Sequence, residues 1–126
     1  MATHPVVIRN GISDYVVDKI DIGSTDATGD LVFLTAGDVE VATLAMTNPA
    51  FGAAASGVAT AATITNDPSA TGGTIAKFKI QDRDNATVVE GSCSLIGGGG
   101  EMELTSLVIV AAEEVSISSL TYTAPS

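Results

Sequence analysis

A chain of 126 residues in which five Lys and Arg face fifteen Asp and Glu, for a formal net charge of −10, is long enough for one domain with its own core. That acidity argues against direct contact with DNA, RNA or an anionic membrane. A hydrophobic share of 45% excludes an acidic disordered tail.

The start, Met1 to Pro5, has neither a basic region nor an apolar core and does not read as a signal peptide. Synthesis in a cytoplasm, with retention there or release by lysis, is the expected route. Val6-Val7-Ile8 is a short apolar run after Pro5, read as an edge strand or as part of a docking arm over residues 1–8. Tyr15 to Ile22 is a second strand candidate, with Ile20 and Ile22 on one side and Lys19 and Asp21 on the other. Gly23 to Asp30 is small and polar, hence a loop. Leu31-Val32-Phe33-Leu34 reads as a compact strand. Val39 to Met46 alternates, with Leu44 and Met46 sharing a face.

Thr47 to Gly52 breaks that strand, because Pro49 removes a ladder donor. Ala53-Ala54-Ala55 is hemmed in by Gly52, Ser56 and Gly57, so a full helix is not expected there. Val58 to Ile64 reads as a strand of small residues, and Asn66 to Gly73 as a loop. The clearest signal follows. Ala76, Phe78 and Ile80 alternate with Lys77 and Lys79. Gln81 to Ala86 is polar and suits a tight turn. Val89, Cys93 and Leu95 then alternate with Glu90, Ser92 and Ser94. Two such runs about a polar turn predict a β-hairpin over Thr74 to Leu95.

Gly97 to Gly100 is four consecutive glycines, a strand connection with no side chains to pack. Glu101 to Leu104 alternates again. Leu107-Val108-Ile109-Val110 reads as a buried or interface strand, and Ala111 to Glu114 as an acidic turn. Val115 to Ile117 opens the last strand, and Leu120 and Tyr122 continue it one residue out of phase. A bulge near Ser118 and Ser119 accounts for the slip. The whole predicts an all-β fold, a β-sandwich or jelly roll of about eight short antiparallel strands, as one domain over residues 1–126.

No motif carries chemistry. Asp82-Arg83-Asp84-Asn85 begins like a calcium loop, but Thr87 stands where the EF-hand needs Gly and Cys93 where it needs Glu. The turn reading is preferred, and no metal is expected. Asn85-Ala86-Thr87 is a formal glycosylation sequon without a secretory signal. His4 lies in the terminal stretch with no partners for a catalytic triad. The glycine run matches neither the Walker nor the dinucleotide pattern. Glu101 and Glu103 share a strand face, and Glu113 and Glu114 are adjacent. With Trp absent and few aromatics, solvated carboxylates are preferred over glycosidase acids. Cys93 is the sole cysteine, so it has no disulfide partner in the chain and reads as a small buried hydrophobe. No catalytic, cofactor or metal site is assigned, and an enzyme is not expected.

Three segments together carry a resemblance: Leu44 to Gly52, the hairpin from Ala76 to Gly91, and the tail from Val115 to Pro125. They resemble small β-rich structural proteins encoded in the virion gene clusters of tailed phages and prophages. The resemblance implies a non-enzymatic virion protein, most simply a capsid decoration, or cement, protein on the head surface. Its implied partner is the major capsid protein or another virion protein, bound through β-edges and the N-terminal arm. The alternative is a ligand- or carbohydrate-binding module, or an adhesin, on a phage tail or cell surface. A homo-oligomer, dimer or trimer, is expected independently. Val6 to Ile8, Leu31 to Leu34 and Leu107 to Val110 are apolar on both strand faces, and such runs need cover.

Overall fold

Leu31, Val32, Phe33 and Leu34 are all buried, and the molecule is built outward from the strand they form. The structure, a computed structural model, describes residues 2–125. Strand β1 (Asp30–Leu34) pairs antiparallel with β2 (Glu40–Ala45) on one side and with β5 (Lys77–Gln81) on the other. Between β2 and β5 in the chain come two short strands, β3 (Val58–Thr60) and β4 (Gly73–Thr74). On the inner face, Phe33 stands opposite Ala42 and Phe78, and Leu31 opposite Leu44 and Ile80. These cross-strand apolar contacts hold the register. The turn from β1 to β2 closes when the Thr35 N–H donates to Val39 O at 2.9 Å and the Val39 N–H donates to Thr35 Oγ1 at 3.1 Å.

The predicted hairpin forms. Strand β5 turns at Asp82 to Ala86 into β6 (Thr87–Leu95). Phe78 and Ile80 point into the core while Lys77 and Lys79 alternate onto the outer face, where Lys77 Nζ meets Asp38 Oδ1 at 2.8 Å. Val89 and Cys93 pack against the core as expected, but Leu95 is exposed at the strand's end. Gly91 stands opposite Phe78. A Cβ there would collide with the Glu101 carboxylate and come within 2.9 Å of the Phe78 ring, so only glycine fits.

Strand β7 (Met102–Leu104) completes a five-stranded sheet of order β2-β1-β5-β6-β7. It runs parallel to β6, with Cys93 opposite Met102 and Leu95 opposite Leu104. The expectation of purely antiparallel strands is corrected here. Parallel neighbours ordinarily need a long crossover; the tetraglycine replaces it with a tight loop. Gly97 and Gly99 have φ of 88° and 82°. A Cβ on Gly98 or Gly100 would lie 2.8 to 2.9 Å from atoms of Ser94. Ser94 Oγ accepts the Gly100 N–H at 2.9 Å.

Two small antiparallel pairs cover the core. Strand β3 pairs with β9 (Thr121–Thr123), and β4 pairs with β8 (Val108–Ile109). Ala53 to Ala55 is not helical, as the flanking glycines dictate. Ile117, Leu120 and Tyr122 all pack on the core. The phase slip between them is real, but it is a bend at Ser118 rather than a bulge in a continuous strand.

The N-terminus departs from expectation. Residues Val6–Asp18 form a helix, α1, followed by a 3-10 turn at Lys19–Asp21. The fold is therefore mainly β with one helix, not all-β. Val6-Val7-Ile8 is the first turn of α1 and not a strand; residues 2–5 precede it and are exposed, and Met1 lies outside the described residues. The Pro5 carbonyl accepts the N–H groups of Ile8 and Arg9, each at 3.0 Å, and so starts the helix.

The helix docks by polar groups. The Gly57 N–H donates to Asn10 Oδ1 at 2.7 Å, the Ala54 N–H donates to Asp14 Oδ1 at 2.8 Å, and buried Ser13 Oγ donates to Gly57 O at 2.7 Å. Only Val17 and Ile20 continue into the apolar core. The Tyr15–Ile22 strand is thus corrected: Ile20 is buried, and Ile22 is exposed. The expectation that Leu31 to Leu34 needs another chain is corrected as well, since its own sheet buries it. Leu107 to Val110 keeps one apolar face inward, with Leu107 and Ile109 on the core, and one outward, with Val108 and Val110 each 64% exposed.

Candidate functional site

The tail and the edge of the sheet leave a cleft of about 480 Å³ between them. Its floor is the inner face of the hairpin, Phe78, Ile80 and Val89, with Phe51 beside them. One wall is Glu101 to Thr105, the edge strand β7 and its flanks. The other is Ser116 to Tyr122. A second cavity of about 220 Å³ shares Leu104, Thr105, Ser116 and Ile117 with the first. The two are therefore consecutive along one cleft, which extends past Ser106 and Glu113 to Val115.

Charge along this cleft is of one sign. Glu101 and Glu103 line the larger part, Glu113 and Glu114 the smaller, and no Lys, Arg or His lines either. The period of two that places Phe78 and Ile80 inward sends Lys77 and Lys79 to the far face. Glu103 Oε2 accepts the Gly99 N–H at 3.1 Å, and Glu113 Oε2 accepts the Val110 N–H at 3.4 Å. The Glu101 and Glu114 side chains accept no hydrogen bond among the described residues. The Glu101 carboxylate reaches over Gly91, beside the Phe78 ring.

The other residues singled out by the sequence lie elsewhere. Asp82 and Asp84 serve the hairpin turn. Asp82 Oδ1 accepts the N–H groups of Asp84 and Ala86, each at 2.9 Å. Asp84 Oδ1 accepts those of Ser24 and Thr25, also at 2.9 Å. The Ser24 and Thr25 bonds hold the Asp84 carboxyl below its ordinary pKa. Arg83 Nε donates to Asp26 O at 2.8 Å. This set latches the turn to the Gly23–Asp26 loop. Among the described residues no three His, Cys, Asp or Glu converge to hold a metal ion. Asn85 has a φ of 66° within the turn. His4 is exposed ahead of α1. Cys93 is half-buried, and burial pushes its thiol pKa up to about 11, which keeps it protonated and unreactive near neutrality.

A second feature escaped the sequence reading. Helix α1 leaves much of its apolar surface outward: Val7 is 73% and Tyr15 66% exposed, and Val6 and Ile8 are exposed in the first turn, while Val17 is buried. Lys19 Nζ lies over the Tyr15 ring, 4.6 Å from its centroid. The readable signal was Pro5 ahead of a long stretch broken only by Gly11.

Comparison of the chain with protein-family models, curated proteins and solved structures gives no match. Among the described residues, no helix is long and apolar enough to cross a membrane.

Proposed function

We propose that the protein is a non-enzymatic structural protein of a virus particle, a capsid decoration protein that docks on a shell by surface contact. The observation that carries this reading is where the apolar surface lies. In a chain of net charge −10, the exposed Val6, Val7, Ile8 and Tyr15 gather on one helix that is itself pinned to the body by buried polar bonds. An apolar patch held rigidly outward is a contact surface. Val108 on β8 with Val110 just after it, and Leu95 with Ile96 at the end of β6, are further exposed apolar residues. Docking is the use such exposed apolar surface suits.

The reading extends to assembly and architecture. The protein works as a dimer or trimer on the major capsid protein or another virion protein, is made in the host cytoplasm, and needs no cofactor. Read as a sandwich, the fold would have the pairs β3–β9 and β4–β8 as its second layer, with Ala59, Ile109 and Tyr122 contributing to the shared core. The resemblance of the Leu44–Gly52, Ala76–Gly91 and Val115–Pro125 segments to tailed-phage virion proteins supports the same reading.

The test is binding of purified protein to capsids that lack it, with mass measured by light scattering. Removing residues 1–8 would cut into α1, so Val7→Asp is the cleaner variant. It should fold normally, bind capsids at least tenfold more weakly and shift the mass toward one chain, about 1.4 kcal/mol or more of lost contact. A stable monomer indifferent to every virion component would overturn the proposal. The open cleft, with Tyr122 and several hydroxyls on its walls, is what favours the second reading, a carbohydrate-binding module; glycan-array binding lost in Tyr122→Ala would promote it.

A further inference from the structure

The backbone of the cleft walls asks for a partner. Hydrogen bonds account for nearly every buried polar backbone group in a folded chain, and an exposed, unpaired strand edge is a template for another chain. From Val115, which exchanges bonds with Asp67 at 2.8 and 2.9 Å, the chain reaches Leu120, whose carbonyl accepts the Ala61 N–H at 2.9 Å. Between them, Ser116, Ile117, Ser118 and Ser119 make no hydrogen bond to any described backbone or side chain. Across the cleft, β7 is the last strand of its sheet. The Leu104 carbonyl faces β6, where it accepts the Ile96 N–H at 3.1 Å. Alternation then turns the N–H and C=O of Glu103 to the free edge. An open strand edge and an unpaired length of the tail, bent at Ser118, thus flank an apolar floor.

From this we propose that the cleft takes one extended segment of a partner polypeptide as an added strand, with apolar residues alternating with Lys or Arg. Main-chain bonds to the walls supply the pairing, and alternate side chains enter the cleft, the mode by which sheet edges capture peptides. The apolar side chains lie on Phe78, Ile80 and Leu104. The cations meet Glu101, Glu103, Glu113 and Glu114, with no cation of the cleft to oppose them. Charge complementarity selects a basic partner over a second copy of this acidic chain. A sugar would leave the unpaired backbone of the two walls unused. The inference goes beyond capsid docking through α1 and does not depend on it, because the two surfaces are separate.

The experiment titrates labelled protein with the acetylated, amidated peptide Lys-Val-Lys-Val-Lys-Val and follows backbone amides by NMR. Shifts and slowed hydrogen exchange are expected at Glu103, Thr105 and Ser116 to Ser119. Affinity should fall about fivefold in the Glu101→Gln, Glu103→Gln double variant, and fall with added salt. The same peptide with alternate amide nitrogens methylated should not bind, and a Glu-Val peptide should not bind. Equal binding of the methylated peptide would show charge attraction without strand pairing and overturn the proposal. So would shifts confined to α1, a preference for a peptide copying residues 2–5, or no shift at millimolar peptide. Capsid binding by the Glu double variant is measured in parallel: its retention leaves the docking reading standing whichever way the peptide result falls.

Discussion

Strand β1 and the segment from Ser116 to Ser119 are opposite ways of using a short length of chain. The first is paired on both edges and buried on both faces. The second is unpaired and lies over the core by Ile117 alone. Propensity separates them in part, since β1 carries Leu, Val, Phe and Leu where the other has three serines about Ile117. The number of neighbours the topology supplies separates them further. Stability is concentrated where pairing and burial coincide, and the surfaces free to bind are left where they do not.

The largest effect should come from the centre. Phe33→Ala removes a buried ring between Ala42 and Phe78, and should cost about 3–5 kcal/mol in denaturant unfolding. A loss below about 1 kcal/mol would erase the contrast. On the cleft side, Leu104→Ala strips a half-buried side chain and should cost about 1–2 kcal/mol, with a midpoint well above that of Phe33→Ala. Native-state hydrogen exchange sharpens the comparison residue by residue. Amides of β1 should open only with global unfolding, and those of Ser116 to Ser119 should exchange almost as in an unfolded chain.

Acid tests the latch between hairpin and loop. The hydrogen bonds from Ser24 and Thr25 depress the Asp84 pKa. Its contribution is therefore present above the ordinary aspartate pKa and lost as pH falls through the lowered native value. Burial acts the other way on Asp21 and Asp30, raising both. Their charged forms weigh against the fold near neutrality, and that burden lifts as pH falls through their raised values. Melting temperature should rise slightly on mild acidification and drop in stronger acid, with the drop reduced in Asp84→Asn. The smallest effect is chemical. Cys93, with its thiol pKa raised to about 11, should react with a thiol reagent at neutral pH much more slowly than a free cysteine, and denaturant should abolish the difference.

The parts of the fold legible in the sequence are those where one face is apolar and the other polar at a constant period. The hairpin is the clearest case: Phe78 and Ile80 against Lys77 and Lys79 is a pattern no helix produces. The helix was illegible for a physical reason. Its inward stripe is Asn10, Ser13, Asp14 and Val17, three of them polar, while Val7 and Tyr15 face outward, so no clean apolar face marks the core side and the usual inference fails. The β-branched Val6-Val7-Ile8 added a false strand signal. Glu101 and Glu103 were recognisable as a carboxylate pair on one face. That they border a cleft was not, because the other wall comes from the tail, and an unpaired backbone is a property of the assembled fold. The parallel pairing of β6 and β7 was hidden in the same way, behind a glycine run that reads as slack.

That run is anything but slack. Its members alternate in the reason each must be glycine: Gly97 and Gly99 for backbone torsion, Gly98 and Gly100 for room against Ser94. No position is spare, so the stretch that looks most like a disposable linker should be among the least mutable in the chain. A library randomising all four codons, sorted for folded protein, should return glycine at each. An engineer seeking a place for a tag or inserted domain should pass it over, despite its simple sequence.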